Sequence, residues 1–283
     1  MPIITVEVDT SEAGSRPLIA PISMPSPHHT LLHMATDDVP MHFTQEAQTG
    51  QSVIVVPPVG LGARSSITFR YQLSDCGTTY PEAMFLPRDS RFTRAASALI
   101  DNAHQVVAGE RAVRGKVDAL VAHTAKAFTY GHPDARYYEG CDEVPMLGCG
   151  VTEGSCVDIN IYLIAALRSV GVEAGYVAGY FFPEEKNGTC NDMHCWVVIR
   201  DGGEVLEWDI AHHLKMGTRD IRPGLNPKPG ERYAVSHSMG WNIPALGVRD
   251  AKLLCEPMWV EADGSLSYAE LSIHLHRDRA QAA

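Results

Sequence analysis

Gly154-Ser155-Cys156-Val157-Asp158-Ile159 opens a stretch that runs through Ala166-Leu167-Arg168-Ser169-Val170-Gly171 and on to Val177-Ala178-Gly179-Tyr180. Its first half reads as a helix beginning at Cys156. Ser155 suits the N-cap, Asp158 places negative charge in the first turn, and Gly171 supplies the stop. Between them Val157, Ile159, Ile161, Tyr162, Leu163, Ile164, Ala165, Ala166, Leu167 and Val170 are apolar on almost every side. A helix with no polar face belongs in the middle of its domain. The second half, Glu173–Phe182, reads as a strand.

Further on, His194–Arg200, Asp201-Gly202 and Gly203–Asp209 read as a β-hairpin, because Asp-Gly favours a two-residue turn of type I′. With Asp201-Gly202 as the loop, Arg200 faces Gly203 and His194 faces Asp209. Residues directly opposite on one face have Cβ atoms about 4.5–5.5 Å apart. A carboxylate beside an imidazole fixes its tautomer and stabilises the imidazolium. Cys156 sits at a helix start, which favours the thiolate, and its backbone N–H faces the place where an oxyanion could be held. Thiol catalysis needs a nucleophile, a base and a group that orients the base. Cys156, His194 and Asp209 are the expected three, with the buried helix packed on the hairpin.

These residues carry a resemblance. The Gly154–Tyr180 stretch resembles the cysteine block of the transglutaminase-like superfamily: a Gly-x-Cys helix, an Arg-x-x-Gly-Ile turn and a strand ending in Gly-Tyr. His194-Cys195-Trp196-Val197-Val198 is similar to the family's His-Ala-Trp strand, and Glu207-Trp208-Asp209 to its Trp-x-x-x-Asp strand end. Phe128-Thr129-Tyr130, read as a helix end, is similar to the Phe-x-Tyr before the block, and Phe85-Leu86-Pro87 to the β-domain of bacterial members. Cys195 replaces the usual alanine, Ile210-Ala211 replaces the frequent Pro-Thr, and position 150 is Gly, so no glutamine completes a papain-style oxyanion hole. The resemblance implies an α+β fold with a papain-like transglutaminase core, the Cys-bearing helix lying on an antiparallel sheet after a β-rich N-terminal region.

Outward from the core, Ile3–Val8, Ser52–Val56 and Ile67–Leu73 read as strands punctuated by Pro and Gly. From Arg94 to Phe128 the texture is Ala-rich and helical, with Gly109 and Gly115 interrupting. The expected organisation is a β-rich domain over 1–90 and a catalytic core over 91–283, ending in strand-like Lys252–Val260 and Leu266–Leu275. The chain has 283 residues, 45% hydrophobic and 20% charged, enough to bury a sizeable core. Lys and Arg number 23 against 34 acids, a net charge of −11, with no basic run. That balance argues against nucleic acid and against an anionic membrane surface.

The N-terminus lacks a secretory pattern, and the apolar run Ile159–Leu167 is too short to span a bilayer. Seven scattered cysteines then point to reduced thiols and a cytoplasmic setting. Cys141, Cys149, Cys190 and Cys195 contain no Cys-x-x-Cys pair, so a zinc site is not expected. His28, His29, His33 and His42 read as solvated loop histidines, and His212 and His213 could line a cleft. Gly60-Leu61-Gly62 lacks the third glycine of a dinucleotide fingerprint, and there is no P-loop. No cofactor and no metal are expected. The expected activity is acyl transfer through a Cys156 thioester, as amide or peptide hydrolysis or as transglutaminase-type amide exchange. The substrate would be a protein, a peptide or a small amide. A non-catalytic interaction module on the same fold is the alternative.

Overall fold

The computed structural model describes residues 1–61, 64–191, 193–224 and 226–277. Helix Cys156–Ser169 lies at its centre, and every residue from Asp158 to Leu167 is buried. It packs on strands Glu173–Pro183 and Met193–Asp201 and is covered by helices Ser97–Val106 and Val113–Ala127. That surround accounts for its lack of a polar face. Gly171, at φ +79°, follows the helix end in the left-handed conformation that a glycine adopts without strain.

The supporting sheet is antiparallel, in the order Glu204–Trp208, Met193–Asp201, Glu173–Pro183, Gly230–His237. The fold is α+β, with the Cys-bearing helix on an antiparallel sheet as the sequence implies. Gly179 sits where the last strand comes closest, since a Cβ there would lie 2.0 Å from the Tyr233 carbonyl oxygen. The hairpin differs by one residue on each arm from the expected pairing. Asp201 faces Glu204 and Val197 faces Trp208, so the turn is Gly202-Gly203. Both glycines have positive φ, +55° and +95°, as both central positions of a type I′ turn require. Glycine meets that requirement more easily than Asp201, which stays in the strand.

Among the described residues, two short two-stranded sheets and two five-stranded ones accompany the supporting sheet. In one, Pro2–Asp9 is flanked by Leu271–Arg277 and Ser66–Ser74, and its burial alternates with period two along most of its length. Thr189–Cys190 adds to the edge of this sheet through Leu271–Arg277, tying it to the segment just before His194. In the other, Leu18–Pro21 pairs with Ser52–Val56 and Met258–Val260. Strands on both sides of residue 90 therefore share both sheets, and Ile4, Phe69 and Ile273 join Cys156 and Ile159 in one hydrophobic core. Of the expected Lys252–Val260 strand, only Met258–Val260 is β-structure; Leu253, Leu254 and Cys255 are buried without pairing in a sheet ahead of Pro257. Phe128–Tyr130 is a short strand rather than a helix end. Among the described residues, no helix is long and apolar enough to cross a membrane.

Candidate active site

The approach to Cys156 is held by backbone pairing. Phe128–Tyr130 runs parallel to Thr152–Gly154, the strand that delivers the chain to the helix. A Cβ on Gly154 would sit 2.9 Å from the Phe128 ring, so Gly154 is there for close approach rather than flexibility. Ser155 then caps the helix. The Asp158 carboxylate accepts hydrogen bonds from the Ser155 backbone N–H and hydroxyl, both at 2.7 Å. Arg136 locks this cap from outside, donating to Ser155 Oγ at 3.0 Å and to Asp158 Oδ2. Cys156 follows in the first helical position, 6% exposed.

His194 comes from the edge-ward end of strand Met193–Asp201, opposite Gly179. Asp209 lies one residue beyond the end of strand Glu204–Trp208, so it does not face His194 in the ladder. It caps helix Ile210–Lys215 instead, with Oδ1 accepting the His212 backbone N–H at 3.1 Å. Its other oxygen, Oδ2, accepts from His194 Nε2 at 2.9 Å. The remaining nitrogen, Nδ1, is thereby left for the Cys156 thiol, which lines the same cleft. The structure thus brings together all three residues singled out in the sequence, with Asp209 arriving as a helix cap.

The electrostatics follow from burial and pairing. The Cys156 thiol is held well below its ordinary range, first by a hydrogen bond with Cys195 and then by His194, against the opposing effect of burial. Burial pulls His194 downward, but attraction to Asp209, their hydrogen bond and the thiolate outweigh it and push the imidazole up to about 9. Burial likewise disfavours the Asp209 carboxylate, yet His194 and His212 hold it well below the usual range. These shifts all favour the thiolate, the imidazolium and the carboxylate.

Residues 100–209 match the family model of the transglutaminase-like superfamily. This segment is a transglutaminase-like domain. Over the whole chain, a candidate cysteine protease from Cytophaga hutchinsonii shares the fold at TM-score 0.50 and 11% identity, with 97% of each chain covered. The periplasmic domain of TgpA from Pseudomonas aeruginosa matches at TM-score 0.35 and 16% identity, covering 74% of this chain and 80% of its own. A candidate protease from Parabacteroides distasonis matches at TM-score 0.32 and 12% identity, covering 72% and 42%. No curated protein matches the sequence.

Several neighbours of the transglutaminase-like site were not singled out as functional from sequence. His212 stacks on His194, with ring centroids 3.8 Å apart and planes at 7°, and its Nδ1 lies 3.1 Å from the same Asp209 Oδ2. Its position next to Asp209 suggested a place in the cleft, but not this stacking. Arg232 approaches Asp209 Oδ2 at 3.7 Å, lies 5.3 Å over the Trp196 ring and pairs with Glu207 at 3.3 Å. Glu207 also accepts from Tyr80 at 2.6 Å and from His28 at 2.7 Å, so His28 is tied down rather than simply solvated. Cys195, where the family usually has alanine, is fully buried and accepts from Asn160 Nδ2 at 3.3 Å.

His194, Asp209 and His212 are also the group of His, Cys, Asp and Glu that could hold a metal among the described residues. Both imidazoles meet one carboxylate oxygen, at 2.9 and 3.1 Å. Tetrahedral ligands about 2.0–2.1 Å from zinc stand roughly 3.3 Å apart, so these spacings are those of direct hydrogen bonds. A cleft of about 90 Å³ opens over Cys156, His194 and His212.

Proposed function

We propose that the protein is a thiol-dependent acyl-transfer enzyme with Cys156 as nucleophile, His194 as proton carrier and Asp209 as the group that orients His194. The observation that carries this reading is the buried His194 ring, bonded through Nε2 to Asp209 at 2.9 Å, with Cys156 at the helix start lining the same cleft. The thiolate attacks the carbonyl carbon of an amide. The tetrahedral oxyanion is met by the Cys156 backbone N–H at the helix start. As the intermediate collapses, the imidazolium passes its proton to the departing amine and a thioester remains. His194, now neutral, takes a proton from the incoming water or amine, and the thiolate is released. Water as acceptor gives amide or peptide hydrolysis; an amine gives transglutaminase-type exchange. The family match supports cysteine chemistry in this core, and the cleft gives a substrate access to the sulfur.

The test is to incubate the protein with a glutamine-rich protein such as casein, with and without a fluorescent primary amine. Ammonia release, new peptide termini and amine incorporation are measured together, and the acyl-enzyme is trapped by acid quench and mapped. Adduct on Cys156, and loss of all product in Cys156→Ala and His194→Ala, is the expected result. Product formation that persists in both variants would sink the assignment.

A further inference from the structure

Among the described residues, the lining of the cleft over Cys156 is basic in a protein that is not. The whole chain carries a net charge of −11. Yet the described residues lining the cleft include Lys186, Lys215 and Lys228 and no carboxylate. The three ammonium groups come from unrelated places in the chain. Lys186 ends the single turn after strand Glu173–Pro183, Lys215 ends helix Ile210–Lys215, and Lys228 lies in the loop before strand Gly230–His237. They are not equally available. Lys228 Nζ is paired with the exposed Glu185 at 3.0 Å. Lys215 lies 5.1 Å over the Tyr130 ring, which fixes its position without neutralising it. Among the described residues, neither Lys186 nor Lys215 has an ion-pair partner. Both are exposed, so their ammonium groups can meet a bound carboxylate without first leaving an ion pair.

A cleft lined by one sign of charge focuses the field and raises the local concentration of ligands of opposite sign. The net negative charge of the chain repels the same ligands elsewhere, so the cleft stands out as a favourable approach. Lysine, as a mobile point charge, suits carboxylates held at varied positions along a chain. We propose that the acyl donor of this enzyme is anionic, an acidic peptide whose carboxylates flank the amide attacked by Cys156 and are held by Lys186 and Lys215. This rests on the thiol-catalysis reading above and specifies its substrate class.

The test alkylates the folded protein with iodoacetate, which is anionic, and with iodoacetamide, which is neutral, and maps modified cysteines by mass spectrometry. The ratio of the two rates at Cys156 is compared between the unmodified protein and Lys186→Gln/Lys215→Gln. Taking the ratio cancels any general change in thiol reactivity and leaves the charge of the cleft as the variable. At about 20 mM ionic strength the ratio is expected to fall about threefold in the double variant. The difference should close at 0.5 M salt, where the screening length is about 4 Å. In a second arm, millimolar acetyl-(Glu)4-amide should slow iodoacetamide labelling of Cys156, and acetyl-(Gln)4-amide should not. A ratio unchanged by the two substitutions, or equal protection by both peptides, overturns the substrate class and leaves the catalytic reading standing. Iodoacetamide labelling at Cys156 no faster than at the exposed Cys76 overturns the catalytic reading itself.

Discussion

Asp209→Asn isolates the charge of the carboxylate from its place in the fold. An asparagine oxygen can still accept the His212 backbone N–H that Asp209 Oδ1 accepts at 3.1 Å, so the cap of helix Ile210–Lys215 survives. What is lost is the negative charge 2.9 Å from His194 Nε2. His194 stands at about 9 against an ordinary 6.5, and attraction to Asp209 and their hydrogen bond are the two largest contributions holding it up against burial. Without them it should fall back to about 6.5 or below, which corresponds to about 3 kcal/mol. At pH 7.5 the protonated share of His194 would then drop from about 97% to about 10% or less. The assay is an NMR titration of the histidine ring protons, with His194 assigned from His194→Gln. Turnover at pH 7.5 should fall with the imidazolium, since fewer molecules hold the proton that the leaving amine needs. A His194 resonance still titrating near 9 in Asp209→Asn would refute the idea that the carboxylate sets its charge.

Three further outcomes follow from the same geometry. Because the Cys156 thiol lies well below its ordinary range and His194 titrates near 9, activity should already be present at pH 6 and should be lost as pH rises through about 9; a rate that only begins to climb above pH 8 would contradict this. Cys195→Ala removes the largest influence favouring the Cys156 thiolate, so iodoacetamide labelling of Cys156 at pH 6 should slow, and an unchanged rate would show that His194 alone holds the anion. Arg88→Ala leaves the Glu46 carboxylate, whose side chain is fully buried, without its cation at 2.7 Å, and should cost about 3–5 kcal/mol in urea unfolding; a loss under about 1 kcal/mol would mean that water enters and solvates Glu46.

The helix that carries Cys156 was legible because everything that defines it is local: a Ser155 cap, an Asp158 three residues on, uninterrupted apolar residues and a glycine stop. The approach of His194 to Asp209 was legible for a different reason. Moving the turn from Asp201-Gly202 to Gly202-Gly203 shifts both arms by one residue and preserves the face each side chain occupies. Asp209 extends past the strand on the same side as Trp196, and His194 lies two residues along that face, within diagonal reach. The exact turn was not legible, because Asp-Gly and Gly-Gly both satisfy type I′, and the easier positive φ of glycine over Asp201 is a small preference to read from sequence alone. Phe128–Tyr130 is too short for any periodicity to separate strand from helix end. The joining of Pro2–Asp9 to Leu271–Arg277 and the meeting of Glu207 with His28 and Tyr80 depend on contacts between distant segments. So does the convergence of three lysines on one cleft, which no local pattern encodes.

The stacked pair His194 and His212 shows how the site decides where its proton resides. Two imidazoles 3.8 Å apart that meet the same Asp209 oxygen cannot both be charged without strong repulsion. Their surroundings separate them. His194 gains from both the carboxylate and the thiolate, whereas His212 is lowered by burial and by the charge on His194. The partners of His212 Nδ1 are Asp209 Oδ2 and Asn226 Oδ1, both acceptors, so that nitrogen carries a hydrogen, while burial and the charge on His194 favour the neutral ring. A neutral ring stacked flat on His194 restricts the rotation that would take Nδ1 away from Cys156, and it adds no competing charge. Groups whose environments push their pKa values apart mark an assignment of acid and base roles. In the proposed mechanism His194 holds the mobile proton and His212 holds His194. His212→Phe should therefore keep the imidazole oriented by stacking and retain much of the activity, whereas His212→Ala should lose more of it. Equal losses in the two variants would mean that the Nδ1 hydrogen bond to Asp209, rather than the stacked ring, is what the site requires.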